Sequence, residues 1–390
     1  MCNTLIGYFC SEHENWRELL SMGPYHLKIK EDGPYVIFNY NQIESDFSSQ
    51  IVQEARGIIF RTGEWENPVC WAFNKFFNQG EPTAAEIHWP TSFVTEKIDG
   101  SLIKVWYDLP DRKWHISTNG IIDAFKAEIG DARMPNFGKY FNTALDRQNI
   151  PRIYRTIFDD FTETLNEQYT YMFELVGPYN RVVIPYEEPD LYFLGARNKF
   201  TGEELLPTSI NMKNLGVPFF KSPAFYSLST LEDCIKAAEL KTWDDEGFVV
   251  CDANFNRVKI KSPSYVLAHY MRNNNVITKR QLLRVIIENE VEEFKCYASD
   301  YVEPLDDCIK LVSLYHKFGN LLIKMSQRAR LMPRGAFAEM IRVFPKIFRD
   351  MMFMSYDRDI TAEEYTSGWD VHKWERCLEE MEKLKDEYLF

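Results

Sequence analysis

The sequence predicts an α+β body joined to an all-α C-terminal domain, and three observations predict it. From about residue 27 to 265, short apolar runs rich in β-branched and aromatic residues are separated by turn signals, the pattern of antiparallel strands. Beyond about residue 277 the apolar residues recur at helical spacing. A chain of 390 residues also has room for two or three domains, at roughly 100–200 residues each. The expected division is 1–272 and 273–390, with Met271-Arg-Asn-Asn-Asn-Val276 as linker.

The strands expected in the body are Tyr35–Phe38, Gly57–Phe60, Leu102–Tyr107, Tyr169–Val176, Leu191–Leu194, Gly247–Val250 and Val258–Lys261. Between Gly120 and Gln168 the period turns helical, with Ile121, Phe125, Phe137, Phe141, Ile157, Phe158 and Phe161 on faces. In the tail, Thr278-x-x-Gln281 is a capping box, because the hydroxyl and the amide satisfy each other's backbone N–H. Leu305, Ile309, Val312, Tyr315, Gly319 and Leu322 form one stripe of a long helix, and a last helix is expected from Asp370 to Leu389.

Composition removes several function classes. Lys+Arg number 45 against 58 Asp+Glu, so the net charge of −13 argues against coating nucleic acid through bulk charge. No run approaches roughly 18 uncharged apolar residues, so no membrane span is expected. Cys2-Asn-Thr-Leu-Ile follows Met1 with no basic start, so no signal peptide is expected. The eight cysteines contain no C-x-x-C pair and the seven histidines no H-E-x-x-H, which points to reduced thiols of a cytosolic protein.

The chemistry concentrates in four short stretches. Lys97-Ile-Asp99-Gly100 places a lysine beside a turn aspartate and a glycine that lets a phosphate approach closely. Tyr171-Met-Phe-Glu174-Leu-Val-Gly177 sets a carboxylate in an apolar strand, and Glu246-Gly247-Phe-Val-Val follows it. In Lys259-Ile-Lys261 the strand period of two points both amines to one face. Two like charges on one buried face are costly unless an anion sits between them, and a polyphosphate suits.

In this order the four stretches resemble motifs I, III, IV and V of the covalent nucleotidyltransferases: DNA ligases, RNA ligases and mRNA capping enzymes. Flanking residues narrow the resemblance. Phe38-Asn-Tyr40-Asn41, Glu54-Ala-Arg56-Gly57, Asn74-Lys75-Phe-Phe-Asn78, Asn180-Arg181 and Lys261-Ser-Pro-Ser-Tyr265 are similar to the phage RNA ligase 1 family, the tRNA-repair ligases. The similarity runs from about residue 35 to 270. A DNA ligase would instead append an OB-fold of short strands, whereas this tail is helical.

What the resemblance implies is a nucleotidyltransferase domain of ATP-grasp-like ligase type. Its catalytic set would be Lys97, Asp99, Gly100, Glu174, Glu246, Lys259 and Lys261. Lys97 would form lysyl-AMP; Tyr40, Arg56, Lys75, Glu174, Lys259 and Lys261 would bind ATP. Glu246 and Glu292 would hold Mg²⁺, with Mn²⁺ able to replace it. The implied reaction joins a 5′-phosphate to a 3′-hydroxyl on broken tRNA, after a kinase/phosphatase has prepared the ends. A monomer in the cytoplasm is expected, the host's if the chain is phage-encoded. The alternatives are a DNA ligase or capping enzyme on the same scaffold, or a non-catalytic RNA-binding protein. One residue departs from the pattern: Asn119 stands where phage members carry a basic residue. Tyr192 and Phe193 are candidates to sandwich adenine, with core packing the favoured fate of both.

The tail adds its own signal. From Lys324 to Arg349 seven basic residues meet one acid, Glu339, so Arg328, Arg330, Arg334 and Arg342 are expected to bind RNA; Tyr265 is included as a further contact.

Overall fold

A computed structural model describes residues 2–388 apart from 43, 154–155, 272–276 and 289. The residues divide into two units, Met1–His269 and Tyr270–Phe390. The expected linker falls almost wholly on 272–276, outside the described residues.

Three sheets build the first unit. Lys28–Asp32, Tyr35–Asn39 and Arg56–Arg61 form an antiparallel trio. A five-stranded antiparallel sheet runs in the order Glu204–Leu205, Asp190–Asn198, Tyr169–Val176, Ser101–Asp108, Lys113–Thr118. A second five-stranded sheet runs Phe225–Tyr226, Phe93–Glu96, Gly247–Cys251, Arg257–Lys261, Phe77–Asn78, with only the last pair parallel. A short hairpin, Glu128–Asp131 with Met134–Asn136, replaces part of the helical stretch expected after Gly120. The helices there begin at Phe137–Leu145 and Ile157–Thr162, where Asn136 and Thr156 cap the first turns.

These two helices cover the first five-stranded sheet. Phe141, Phe161, Phe173 and Phe193 meet edge to face or tilted at 5.4–6.3 Å, and all are at most 1% exposed. Each such ring contributes about 1.5–3 kcal/mol by leaving water. Phe193 is therefore a core residue and is not available to stack on a base. On the second sheet, Val258 and Ile260 turn inward under helix Leu231–Glu239, which leaves the odd-numbered residues of that strand to the other face.

The second unit is helical throughout its described part. The capping box at Thr278 and Gln281 forms as expected. The long helix Val302–Arg328 buries Leu305, Tyr315, Gly319 and Leu322, and its neighbours Ile309 and Val312 flank that seam half-buried. Tyr315 stacks on Phe348 at 4.9 Å and meets the edge of Trp374 at 5.8 Å, tying three helices together. The final helix is Val371–Tyr388.

Candidate active site

The segment Lys97–Gly100 is where the chain leaves one five-stranded sheet and enters the other. Phe93–Glu96 pairs with Gly247–Cys251, whereas Ser101–Asp108 pairs with Tyr169–Val176. The register then brings the acids and amines together. Glu96 lies opposite Phe248, the Lys97 amide donates to the Gly247 carbonyl at 2.9 Å, and Gly247 lies opposite Lys261. On the other sheet Glu174 lies opposite Leu102, two residues beyond Gly100. A β-bulge between Met172 and Phe173 precedes that glutamate.

The result is a cavity of about 340 Å³ whose wall includes Arg56, Lys97, Gly100, Glu174 and Lys259. Lys97 Nζ lies 2.7 Å from Glu246 Oε1, and Lys261 Nζ lies 3.7 Å from the same oxygen. The other oxygen, Glu246 Oε2, is buried with no hydrogen-bond partner, as are Arg56 Nη1 and Asn119 Oδ1. Buried polar atoms are almost always satisfied, so the two orphans in the cavity wall, on Arg56 and Asn119, and the one on Glu246 beside Lys97 mark places where a ligand would supply the partner. Apolar side chains such as Phe93, Leu206 and Val249 line the rest, a wall suited to a base.

The electrostatics fit an anion. Removal from water pushes the Glu174 carboxyl up to about 8, opposed by Lys97 and Arg56 and reinforced by Glu246. Burial likewise works against the charge of Arg56, whose guanidinium lies 5.0 Å over the Phe76 ring. A polyphosphate would supply the charge that this wall lacks. Among the described residues no group of three or more His, Cys, Asp and Glu side chains gathers as a metal site. Mg²⁺ suits such a place, because it is usually held by one or two carboxylates plus substrate phosphates and keeps several waters. The orphan oxygen of Glu246 is the fitting carboxylate.

Several expected residues have other placements. Asp99 is 5% exposed and accepts from the amides of Val183 and Ile184 and from the Tyr265 hydroxyl, at 2.9, 2.8 and 2.9 Å. It holds the turn after Lys97 in place. Tyr265, expected to touch RNA, is 3% exposed and spends its hydroxyl on Asp99, so it is a brace for that turn. Gly100 is needed for packing: a Cβ there would come within 2.5 Å of the Leu175 carbonyl, in the neighbouring strand. Lys75 lines a second cavity that shares Phe76 and Arg257 with this one, its amine 5.0 Å over the Tyr40 ring. Glu54 is also away from the cavity; its carboxylate caps the helix Leu5–Glu12 through the Leu5 and Ile6 amides.

The tail residues belong to the second unit. Glu292 is exposed in the first turn of Val291–Tyr297. Arg328 is exposed, but Arg330 pairs with Asp359, Arg334 with Asp357 and Arg342 with Glu339, each at 2.8 Å. The expected free positive patch is therefore partly neutralised, with three of its seven bases paired. Acids just past its end fold back onto it.

Two participants went unnoticed in the sequence. Arg257 shares the face of Lys259 and Lys261, and extending the period of two by one step back would have found it. Lys104 is wholly buried on the strand Ser101–Asp108 and donates to the carbonyl of Gly57, the residue after Arg56. A lysine inside the apolar run Leu102–Tyr107 was the available signal.

A lysine where the chain passes between two sheets, ringed by acids and cations, is a setting for an enzyme that handles phosphates. A family model described as RNA ligase matches residues 54–265, more than half of the chain. The chain belongs to that RNA ligase family. An RNA ligase of Rhodothermus phage RM378 is 26% identical over 329 residues, covering 69% of this chain and 71% of its own. A proposed bifunctional polynucleotide kinase/RNA ligase of Autographa californica nuclear polyhedrosis virus is 29% identical over 285 residues and 69% of this chain. The chain spans 38% of that viral relative's length. An archaeal ATP-dependent RNA ligase structure covers 78% of both chains at 13% identity and a TM-score of 0.43, a likeness too loose to carry an argument.

Proposed function

We propose that the protein is an ATP-dependent RNA ligase that joins a 5′-phosphate to a 3′-hydroxyl through lysyl-AMP and RNA-adenylate intermediates. The observation that carries this reading is the Lys97 amine, held 2.7 Å from buried Glu246 in a cavity lined by Arg56, Glu174 and Lys259. Family membership supports it independently.

In this reading, Lys97 gives up a proton and its nitrogen attacks the α-phosphorus of ATP. The new P–N bond replaces the P–O bond to pyrophosphate, which departs. Glu246 aims the amine, and Arg56, Lys259 and Lys261 meet the phosphate charge. Mg²⁺ held at Glu246, or Mn²⁺ in its place, would neutralise phosphate charge. A 5′-phosphate oxygen of RNA then takes AMP from Lys97, which recovers a proton. The 3′-hydroxyl of the other end finally displaces AMP. Each displacement needs in-line positioning and charge neutralisation more than acid–base groups, which suits a site built from Lys, Arg and Glu.

The finer points rest on the family resemblance. The substrate is taken to be broken tRNA, with the tail contributing through Arg328 and its paired neighbours. An end-preparing kinase/phosphatase would act upstream; the viral relative's name joins a polynucleotide kinase to ligation. The protein would work as a monomer in the cytoplasm, the host's if a phage encodes it.

The test uses ATP labelled at either the α- or the γ-phosphate, with Mg²⁺, and reads label on the denatured chain. Label is expected from α only, and 5′-phosphorylated RNA should chase it off. No covalent label, or label that RNA cannot remove, would overturn the reading.

A further inference from the structure

A second cavity of about 310 Å³ lies in the first unit, and of the residues that line it only Lys75 was expected to meet ATP. It borders the Lys97 cavity, because Phe76 and Arg257 line both. Its lining combines three chemistries. Lys75, Arg197 and Arg257 supply positive charge against a single acid, Glu204. Gln53, Asn74, Asn254 and Asn256 supply amide edges. Phe76, Phe77 and Phe255 supply rings.

These groups are held in place before any ligand arrives. Arg257 is 8% exposed, paired with Glu204 at 2.6 Å, and its guanidinium stacks 4.3 Å over Phe73. Arg197 lies 3.6 Å over Trp71 and donates to the Ala72 carbonyl and to Asn74 Oδ1 at 3.0 and 2.9 Å. That bond leaves the Asn74 amide nitrogen free to turn outward. Lys75 Nζ sits over three rings, Tyr40, Phe47 and Phe77, at 5.0–5.6 Å, and among the described residues no carboxylate pairs with it. The turn that carries Asn254, Phe255 and Asn256 is pinned by Asp252, whose carboxylate accepts from the Asn254 and Asn256 amides and from Asn256 Nδ2. Within that turn Phe255 has φ +62°, a left-handed conformation that a bulky residue adopts only under constraint. Such outliers cluster at ligand clamps.

We infer that this second cavity is a binding site for one single-stranded RNA nucleotide next to the end being joined. This rests on the ligase reading and deepens it. Bare phosphates would need only the cations. Amide edges beside rings and cations are what unpaired RNA needs, since its bases stack on aromatic planes and expose their edges for hydrogen bonds. Arg257, shared with the Lys97 cavity and in line with Lys259 and Lys261, would carry the phosphate between that nucleotide and the reacting end.

The test adds negative charge to the cavity while leaving its cations and rings in place, at the loss of one amide edge in the Asn254 variant and none in the Thr83 variant. Asn254→Asp is isosteric and lies on the exposed turn, and Thr83→Glu enters from the opposite lining. Two reactions are measured on full-length protein: lysyl-AMP formation from ATP, and sealing of a short RNA already adenylylated at its 5′ end, without ATP. Thermal melting confirms that each variant is folded. Expected is lysyl-AMP formation within about twofold of the parent, with the KM for RNA in the sealing step raised about tenfold and kcat at saturation little changed. An equal loss in lysyl-AMP formation would overturn the inference, because the cavity would then hold the distal phosphates of ATP. Unchanged sealing in both variants would also overturn it while leaving the ligase reading intact. A parent protein that forms no lysyl-AMP at all would fail the ligase reading instead.

Discussion

Lys97 and Glu246 share one ion pair at the ends of two neighbouring strands of one sheet, so each depends on the other's placement. Lys97→Ala removes the nucleophile and Lys97→Arg keeps a cation that does not deprotonate, so both should abolish covalent AMP uptake. Residual lysyl-AMP in either folded variant would reassign the nucleophile. Glu174 gives a different kind of prediction. Its carboxyl titrates near 8 when folded and near 4.5 when unfolded. Between those values the folded chain holds a proton that the unfolded chain has lost, so stability falls as pH rises through that window, by up to about 1.4 kcal/mol per unit. Glu174→Gln removes that loss, so its melting temperature relative to the parent should climb from pH 5 to pH 8. Parallel curves for the two proteins would sink the assignment. At this scale the sequence was legible where types and order carry chemistry, as at Lys97, Glu174 and Glu246. It was illegible where a role comes from a partner far along the chain, as for Tyr265 and Asp99, 166 residues apart yet bonded.

Strands with an inward apolar face were readable from their period, and Tyr169–Val176 falls on its predicted bounds. Lys28–Asp32 escaped notice because an edge strand of Lys-Ile-Lys-Glu-Asp shows water an almost wholly polar face. Lys113–Thr118 escaped because its outward residues break the apolar run at an edge of the first five-stranded sheet. Gly100 shows how an element can mislead. Its small size suggested room for a phosphate, yet the missing Cβ makes room for the strand Tyr169–Val176, whose Leu175 carbonyl would be 2.5 Å away. Gly100→Ala should therefore cost about 1–3 kcal/mol of stability through backbone displacement. Gly335→Ala is the control, since a Cβ there meets nothing within 4 Å and the residue lies in a helix. That change should be neutral or stabilise by up to about 1 kcal/mol. Melting temperatures of the two variants decide it, and an unaffected Gly100→Ala would return the glycine to a purely catalytic role.

The molecule as a whole carries a charge of −13, so any attraction for RNA must come from local surfaces, and the tail tests how local charge survives folding. Counted along the chain, Lys324–Arg349 holds seven bases and one acid, but the next ten residues add Asp350, Asp357 and Asp359 against Arg358. Helix packing returns two of these acids to the basic stretch: Asp357 grips Arg334 with both oxygens at 2.8 and 3.0 Å, and Asp359 meets Arg330. Helical periodicity was enough to find the helices but says nothing about pairs 23 and 29 residues apart. The pairs are exposed, Arg334 at 63% and Asp359 at 83%, so each is worth only about 0–1 kcal/mol to folding. Their larger effect is on the field outside. Asp357→Asn combined with Asp359→Asn should leave melting within a few degrees of the parent while unmasking the charge of two guanidinium groups, Arg330 still anchored on the Ser355 and Tyr356 carbonyls. If this face meets RNA, affinity for tRNA should rise severalfold at low salt, and the slope of log K against log salt should steepen by roughly 0.7–0.9 for each phosphate newly contacted. A short linear RNA run alongside shows whether the gain is confined to folded tRNA. Unchanged affinity and slope for both RNAs would mean that these arginines are a solvated helix surface whose charge the neighbouring aspartates already balance.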